Sequence, residues 1–371
     1  MPLKIMITAG EPSGDLHAAN LMKQIKQIEP DTRFIGIGGE RMSAEGLESI
    51  VPMKEMSVVG FWEVVKRYRF FREVLNRAKE LIKNEKPDVY IPVDYPGFNM
   101  NLAYFAKSAG TKVIYYIAPQ LWAWGSGRAK KLKGSVDKLL VVFPFEEEYF
   151  GKFGLDAEFT GHPLLDISAF EEMPRSPEDR ENLIALLPGS RQQEIERHLP
   201  LFEESCSIIS REIHDVEFGL AKSSLADESV YLDFLKNNKT CTLYASSSDL
   251  MHKAKAGIVK TGTSNLEACL AGMPFVMVYK ASPFTYFMGK RLVNLPYLSI
   301  INILLNEAVI DELIQKDASA RKIATLTKNI YIDSEKQKEI YDIFMKVRNL
   351  LGKGGGSEKA ARIILSQCGR L

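Results

Sequence analysis

The residue best suited to proton chemistry is a carboxylate that closes an apolar run. A strand expected over residues 88–93 ends at Asp94, within Ile91-Pro92-Val93-Asp94-Tyr95-Pro96-Gly97-Phe98-Asn99. Such a carboxylate can simply cap a turn or the next helix, which Asn99 is expected to start. Partial burial would instead raise its pKa toward neutrality and fit it to accept a hydroxyl proton as a general base.

Four other strand-end loops carry candidate chemistry. Residues 9–17, AGEPSGDLH, follow a strand and open a helix. They miss the G-x-G-x-x-G spacing, and two acidic side chains would repel a pyrophosphate. Glu11, Ser13, Asp15 and His17 suit sugar hydroxyls; the alternative is a tight turn with Ser13 as N-cap. Residues 117–125, IAPQLWAWG, place Trp122 and Trp124 after a strand, as core packing or as a wall for a sugar ring or acyl chain. Arg128, Lys130, Lys131 and Lys133 follow, a solvated helix face or a phosphate contact. Residues 187–195, LPGSRQQEI, are a glycine turn into a helix: the backbone N–H groups of Gly189 and Ser190, with Arg191, could hold a diphosphate. Residues 260–268, KTGTSNLEA, repeat that pattern; Thr263 and Ser264 could meet phosphate oxygens and Glu267 a ribose diol, unless Ser264 and Glu267 form a capping box. Carboxylates and aromatics in the first half suit an acceptor, and anion-binding helix ends in the second suit a nucleotide-sugar donor.

Residues 57–72, SVVGFWEVVKRYRFFR, interleave large apolar side chains with cations. Val58, Phe61, Trp62 and Val65 could enter a bilayer interface while Lys66, Arg67 and Arg69 meet anionic headgroups. The alternative is a core helix whose basic side chains snorkel outward.

These loops need rigid elements beneath them. Strands are expected at 3–9, 32–37, 88–93, 112–117 and 138–143, with helices at 16–28, 62–84 and 99–109. After a charged, proline-bearing stretch at 171–182 that reads as a linker, strands recur at 183–187, 217–221, 241–244, 256–260 and 275–278, with helices at 195–213 and 265–271. Alternating strands and helices imply parallel, doubly wound sheets, whose ligands bind at the carboxyl ends of the strands. The expected organisation is an N-terminal Rossmann-like acceptor and membrane domain over 1–170 and a C-terminal Rossmann-like nucleotide-sugar domain over 183–345, for which the resemblance given below implies a UDP-sugar. The two would face a cleft, and a helical tail over 346–371 would pack back on the first.

The 371 residues include 48 basic and 47 acidic side chains, so a whole-chain electrostatic footprint for nucleic acid is absent. Cys206, Cys241, Cys269 and Cys368 form no C-x-x-C pair, which argues against a zinc site or a disulfide framework and suits a reducing cytosol. The apolar run at 3–9 has strand length, not that of a signal-peptide core, and no run reaches the roughly 18 apolar residues of a transmembrane helix. Membrane contact would be peripheral.

The chain resembles the lipid-A-disaccharide synthase family along nearly its whole length. The matching blocks are AGEPSGDLHAANL at 9–21, GIGGERM at 36–42, VVGFWEV at 58–64, VDYPGFN at 93–99, YYIAPQLWAW at 115–124, FPFEEEYF at 143–150, TGHPLLD at 160–166, LLPGSRQQEI at 186–195 and TGTSNLEACLAGMPFVMVYKASPFTYFMGKRLV at 261–293. The resemblance implies a GT-B fold and a metal-free, cofactor-free inverting transfer. Its substrates would be UDP-2,3-diacylglucosamine and 2,3-diacylglucosamine 1-phosphate, and its products a β-1,6-linked disaccharide 1-phosphate and UDP. It would take place on the cytoplasmic face of the inner membrane. By the same resemblance Asp94 is the base, Arg191 and Asn302 serve the donor diphosphate or its departure, and Thr263, Ser264 and Glu267 bind the nucleotide. Glu11 and Ser13 line the acceptor side, and the segment around Trp62 meets the membrane. One departure stands out. Where many members read P-N-(I/L)-(I/L)-A-G-R-E, residues 301–308 read INILLNEA, with Glu307 in the arginine's place, leaving Arg191, Lys280 and Arg291 to neutralise the diphosphate. Rival readings are an epimerase or peptidoglycan glycosyltransferase of the same fold, or a non-enzymatic two-lobed binding protein. Self-association stays open.

Overall fold

The computed structural model describes residues 2–56, 67–282, 286–287, 291 and 295–371. The chain divides into two compact units, one made of Met1–Asp166 with Leu351–Leu371, the other of Ile167–Leu350.

The first unit is a seven-stranded parallel sheet in the order β3-β2-β1-β4-β5-β6-β7. Its strands are β1 Lys4–Thr8, β2 Arg33–Gly38, β3 Leu47–Pro52, β4 Val89–Pro92, β5 Lys112–Tyr116, β6 Lys138–Val141 and β7 Ala157–Phe159. Between them lie α1 Pro12–Ile28, α2 Glu40–Ala44, α3 Met53–Met56, α4 Tyr68–Glu85, α5 Pro96–Ser108, α6 Leu121–Trp124, α7 Ser126–Leu132 and α8 Phe145–Gly151. Strand residues alternate between two cores, as the pleat requires. Met6, Tyr90, Tyr115 and Leu139 face the side covered by α4 and α5. Ile5, Ile7, Val89, Ile91, Ile114, Tyr116 and Leu140 face α1 and the chain's last helix, Gly356–Gln367, whose Ala360, Ala361, Ile364 and Leu365 are buried there. Burial on both faces explains why the central strands read as continuous apolar runs.

The second unit repeats the plan with six parallel strands in the order β10-β9-β8-β11-β12-β13. They are β8 Glu181–Leu187, β9 Glu217–Ala221, β10 Cys241–Tyr244, β11 Ala254–Lys260, β12 Phe275–Tyr279 and β13 Glu312–Ile314. Its helices are α9 Ser168–Glu171, α10 Gln192–Glu212, α11 Ser229–Asn237, α12 Ser247–Lys253, α13 Thr263–Leu270, α14 Ile300–Leu305, α15 Ala320–Ile332 and α16 Ser334–Leu350. The charged stretch at 171–182 does not hang free. Arg180 is 5% exposed, and its guanidinium donates to the carbonyls of Met251 (2.9 Å), Ala254 (3.0 Å), Arg175 (3.1 Å) and Ala271. Among the described residues no helix is long and apolar enough to cross a membrane.

Strand order reverses between β1 and β4 in the first unit and between β8 and β11 in the second. At such a switch point the flanking loops part and leave a crevice beyond the strand ends. Four of the five loops singled out in the sequence follow the strands at these points, β1, β4, β8 and β11, and the fifth follows β5, beside β4.

Candidate functional site

Asp94 sits at the first switch point. Val93 extends β4, donating its N–H to Thr8 O (2.9 Å) and bridging to Tyr116. The backbone then turns through two left-handed non-glycine residues, Asp94 (φ 45°) and Tyr95 (φ 50°). Each costs on the order of 1–2 kcal/mol, so the surroundings must impose the turn. They do so through the Asp94 carbonyl, which accepts from the Tyr115 hydroxyl (2.7 Å) and Asn99 Nδ2 (2.8 Å). Asn99 is fully buried one turn into α5, rather than at its start, because the helix begins at Pro96. Its Nδ2 also reaches Val93 O (3.2 Å), and its Oδ1 accepts from the Thr8 hydroxyl (2.8 Å) and the Tyr90 hydroxyl (3.3 Å). Thr8, Tyr90 and Tyr115 thus come from three adjacent strands to hold one peptide.

The Asp94 side chain is half-buried. Burial pushes its carboxyl up to about 6, the nearby Glu11 charge adds to this, and the Tyr95 backbone N–H partly opposes it. A carboxyl poised there is mostly ionised at neutral pH and is a stronger base than an ordinary aspartate, which fits it to accept a proton.

The loop after β1 closes over the same turn. A Cβ on Gly10 would lie 2.5 Å from the Tyr95 ring, so only glycine fits. Helix α1 begins at Pro12 with extended Glu11 at the cap position, which puts half-buried Ser13 inside the first turn rather than at the N-cap. Asp15 and His17 are buried. The Asp15 carboxylate accepts from the backbone of Gly39 (2.7 Å), Arg41 (3.2 Å) and Met42 (3.2 Å), capping α2 and tying the first motif to GIGGERM. His17 is buried, which pushes its imidazole down to about 4 against the pull of Asp166.

Trp122, on α6 beyond β5, is half-buried. Its Nε1–H donates to Glu146 Oε1 (2.9 Å), and its ring meets Phe143 and Phe145 edge-on. The basic residues of α7 include exposed Arg128, Lys130 and Lys131.

At the second switch point, Gly189 (φ 123°) turns the chain from β8 toward α10, with Arg191 at the cap. Glu194 folds back onto this turn. Its Oε2 accepts from Ser190 N (3.3 Å), and its Oε1 lies 2.8 Å from Lys260 Nζ and 3.6 Å from Arg191 Nη1. Burial alone would raise the Glu194 carboxyl, but Lys260, Arg191 and the Ser190 N–H outweigh it and the net shift is downward. Two cations therefore converge on one anion at a helix start. The β11 loop brings exposed Thr263 and half-buried Ser264 after Gly262 (φ 144°). Glycine 262, not Ser264, holds the cap position, so a capping box is not formed. Burial raises the Glu267 carboxyl, and Ser264 partly restrains it.

Asn302 is fully buried in α14 and spends its whole hydrogen-bonding capacity on its own loop. Nδ2 donates to Ile310 O (2.9 Å) and Glu312 Oε1 (2.9 Å), while Oδ1 accepts from Val309 N (3.0 Å) and Ile310 N (2.9 Å). That geometry holds the 306–312 segment and leaves no atom for a diphosphate. Lys280 is half-buried, and Arg291 lies over the Phe287 ring at 4.1 Å.

Of the interfacial segment, Val58, Phe61, Trp62, Val65 and Lys66 lie outside the described residues. Arg67 stacks over the Phe70 ring (4.6 Å), and Arg69 and Tyr68 are exposed at the start of α4. Sequence reasoning missed Thr8, Tyr90, Tyr115, Glu146 and Glu194. A hydroxyl among apolar strand residues was the available signal for the first three.

The lipid-A-disaccharide synthetase family pattern matches residues 5–364. The lipid-A-disaccharide synthase of Geobacter metallireducens is 38% identical over 99% of this chain and 98% of its own length. That of Coxiella burnetii is 34% identical over 97% of each chain. Among solved structures, the calicheamicin glycosyltransferase CalG4 superposes with TM-score 0.66 at 14% identity, covering 100% of this chain and 99% of its own. MurG of Acinetobacter baumannii gives 0.60 at 12%, covering 99% and 100%. The UDP-GlcNAc 2-epimerase of Neisseria meningitidis, solved with UDP-GlcNAc, gives 0.61 at 11%, covering 98% and 99%. These structural likenesses establish the GT-B architecture of two Rossmann-like halves and do not separate its chemistries. The sequence matches do: this glycosyltransferase of lipid A biosynthesis belongs to the lipid-A-disaccharide synthetase family.

Proposed function

We propose that the chain transfers 2,3-diacylglucosamine from its UDP donor to the 6-hydroxyl of 2,3-diacylglucosamine 1-phosphate. Asp94 takes the hydroxyl proton as the oxygen bonds to C1 of the donor. The bond from C1 to the diphosphate oxygen breaks with inversion, and UDP leaves with the electron pair. The observation that carries this reading is the locked, half-buried Asp94 at a switch point, with its acidity shifted to about 6. Glu11, Ser13 and Trp122 border the acceptor. Arg191, Gly189 and Ser190, with Lys260, receive the departing charge, the role an anion hole plays in acyl transfer. Thr263, Ser264 and Glu267 take the nucleotide. Asn302 acts as a positioning residue, through the loop it ties together.

The acylated substrates imply work at the inner membrane surface from the cytoplasmic side, with residues 57–69 as the contact. Vesicles containing anionic lipid should co-sediment the protein, and Arg67→Glu with Arg69→Glu should release it.

The decisive experiment measures UDP release and disaccharide formation in detergent micelles, with and without acceptor, in chelator. Acceptor-dependent release that collapses in a folded Asp94→Asn variant supports the reading. Full turnover by that variant removes Asp94 as base. UDP binding without transfer would favour the two-lobed binding protein instead.

A further inference from the structure

The carboxylate of Glu146 is fully buried and holds three donors. Oε2 accepts from the backbone N–H groups of Val142 (3.1 Å) and Phe143 (3.0 Å), and Oε1 from Trp122 Nε1–H (2.9 Å). The two backbone bonds are what a turn into α8 calls for. The third is not, because it reaches back 24 residues to a different loop. That bond fixes one end of the indole. Phe145 (5.1 Å between ring centres, 83°) and Phe143 (6.4 Å, 86°) fix its edge, and these two rings stack on each other at 5.9 Å. The indole is held on these sides yet only half-buried. It sits past the carboxyl end of β5, the strand beside the one that delivers Asp94. Burial pushes the Glu146 carboxyl up to about 7; its three donors pull against this, and the Asp94 charge adds a little to it.

We propose that Glu146 is a positioning residue that locks the Trp122 indole as a flat wall for the apolar face of the acceptor's pyranose ring. The inference rests on the reading above that the first unit binds the acceptor. Glu146 cannot itself touch the sugar, since both its oxygens are taken and no part of it reaches solvent. A rigid indole presents an aromatic face to sugar C–H groups at little entropic cost, whereas a loose one must be ordered on binding. Glutamine at this position offers one acceptor oxygen. Whichever donors it keeps, its –NH2 group confronts the others, and Trp122 is the one free to swing.

The test is steady-state kinetics in micelles with 2,3-diacylglucosamine 1-phosphate as the varied substrate, on Glu146→Gln, Trp122→Phe and the double variant, with Asp94→Asn alongside. Both single variants should raise the acceptor KM about tenfold, the fold-change of one charge-assisted hydrogen bond, and leave the donor KM unchanged. The double variant should be no worse than Trp122→Phe. Additive losses, or a fall in kcat with the acceptor KM unmoved, overturn the proposal. If Glu146→Gln does not fold, Trp122→Phe decides alone, because it deletes only the indole and its N–H: an unchanged acceptor KM sinks the idea. Full turnover by Asp94→Asn would instead indict the reading beneath it.

Discussion

Removing a single hydroxyl, in Tyr115→Phe, should separate the geometry of the Asp94 turn from its chemistry. Two consecutive left-handed residues cost roughly 2–4 kcal/mol together. Against this stand the two bonds onto the Asp94 carbonyl and the Asp94 N–H to Tyr116 O (3.2 Å), each contributing about 1 kcal/mol net. The turn is thus close to balance, and the clamp decides its shape. Phenylalanine fills the same buried space, so the ring packing of Tyr115 survives and no cavity opens. The expected loss is about 1–1.5 kcal/mol, because the Asp94 carbonyl keeps Asn99 as its other partner.

If that loss is felt where the base must meet the hydroxyl, kcat falls roughly tenfold, since 1.36 kcal/mol is a factor of ten in rate. Acceptor and donor KM should stay within about twofold, because Tyr115 is fully buried and touches neither substrate. The assay is UDP release at saturating substrates, with the urea midpoint measured in parallel. A lowered midpoint with wild-type kcat would refute the reasoning: the clamp would then be ordinary core hydrogen bonding. Asn99→Ala, which removes bonds to Val93, Asp94, Thr8 and Tyr90, should be the more severe lesion in both measurements.

Gly10→Ala drives a methyl group into the Tyr95 ring at 2.5 Å, so it should displace Tyr95, cost about 1–3 kcal/mol and lower kcat; an unaffected variant would mean the loop yields freely. Asp94 also makes a pH prediction. Its folded pKa of about 6 exceeds its ordinary 3.8, so the unfolded chain loses the proton first and stability falls as pH rises from about 4 to 6. Asp94→Asn should therefore be more stable than wild type above pH 6, by up to about 3 kcal/mol, with the gain vanishing near pH 4; equal urea midpoints at pH 7.5 would contradict the shift. The wild-type kcat should fall on the acid side through pH 6 as the base protonates. Arg191→Ala should lower kcat/KM for the donor roughly 10- to 100-fold while leaving the acceptor KM unmoved, and an effect on the acceptor instead would place Arg191 elsewhere.

Strands buried on both faces were legible in the sequence because two covering layers demand continuous apolar runs, as in β4 and β8. The short edge strands β3, β7 and β13 were not: β3 is LESIVP and β13 only ELI, with few buried positions to mark them. Asp94 was legible because a charge interrupts an apolar run at a strand end. Tyr90 and Tyr115 were not, since a buried tyrosine in a strand looks like packing until its hydroxyl has a partner. Glu146 and Glu194 looked like first-turn helix carboxylates, and only tertiary structure brings Trp122 to one and Lys260 to the other. Asn302 shows the converse: a residue picked out by its motif turns out to satisfy its own loop.

The two units share one topology and use it for opposite electrostatics. Each sets a carboxylate beside the strands flanking its switch point, Asp94 after β4 and Glu194 after β8. Near Asp94 the influences are burial and a second acid, Glu11, and its proton affinity rises. Beside Glu194 stand Lys260 and Arg191, which overcome burial and hold it ionised. The first arrangement can take a proton. The second disfavours one, and its paired cations are already gathered by the internal anion before any ligand arrives. An incoming diphosphate would then share these cations with Glu194 rather than order them from solvent. Glu194→Gln tests this step: the amide keeps the size but not the charge, so Lys260 loses its 2.8 Å ion pair and the anion that also attracts Arg191 is gone. Donor KM should rise even though a negative charge has been removed from the site. A fall in donor KM would mean that Glu194 merely competes with the diphosphate.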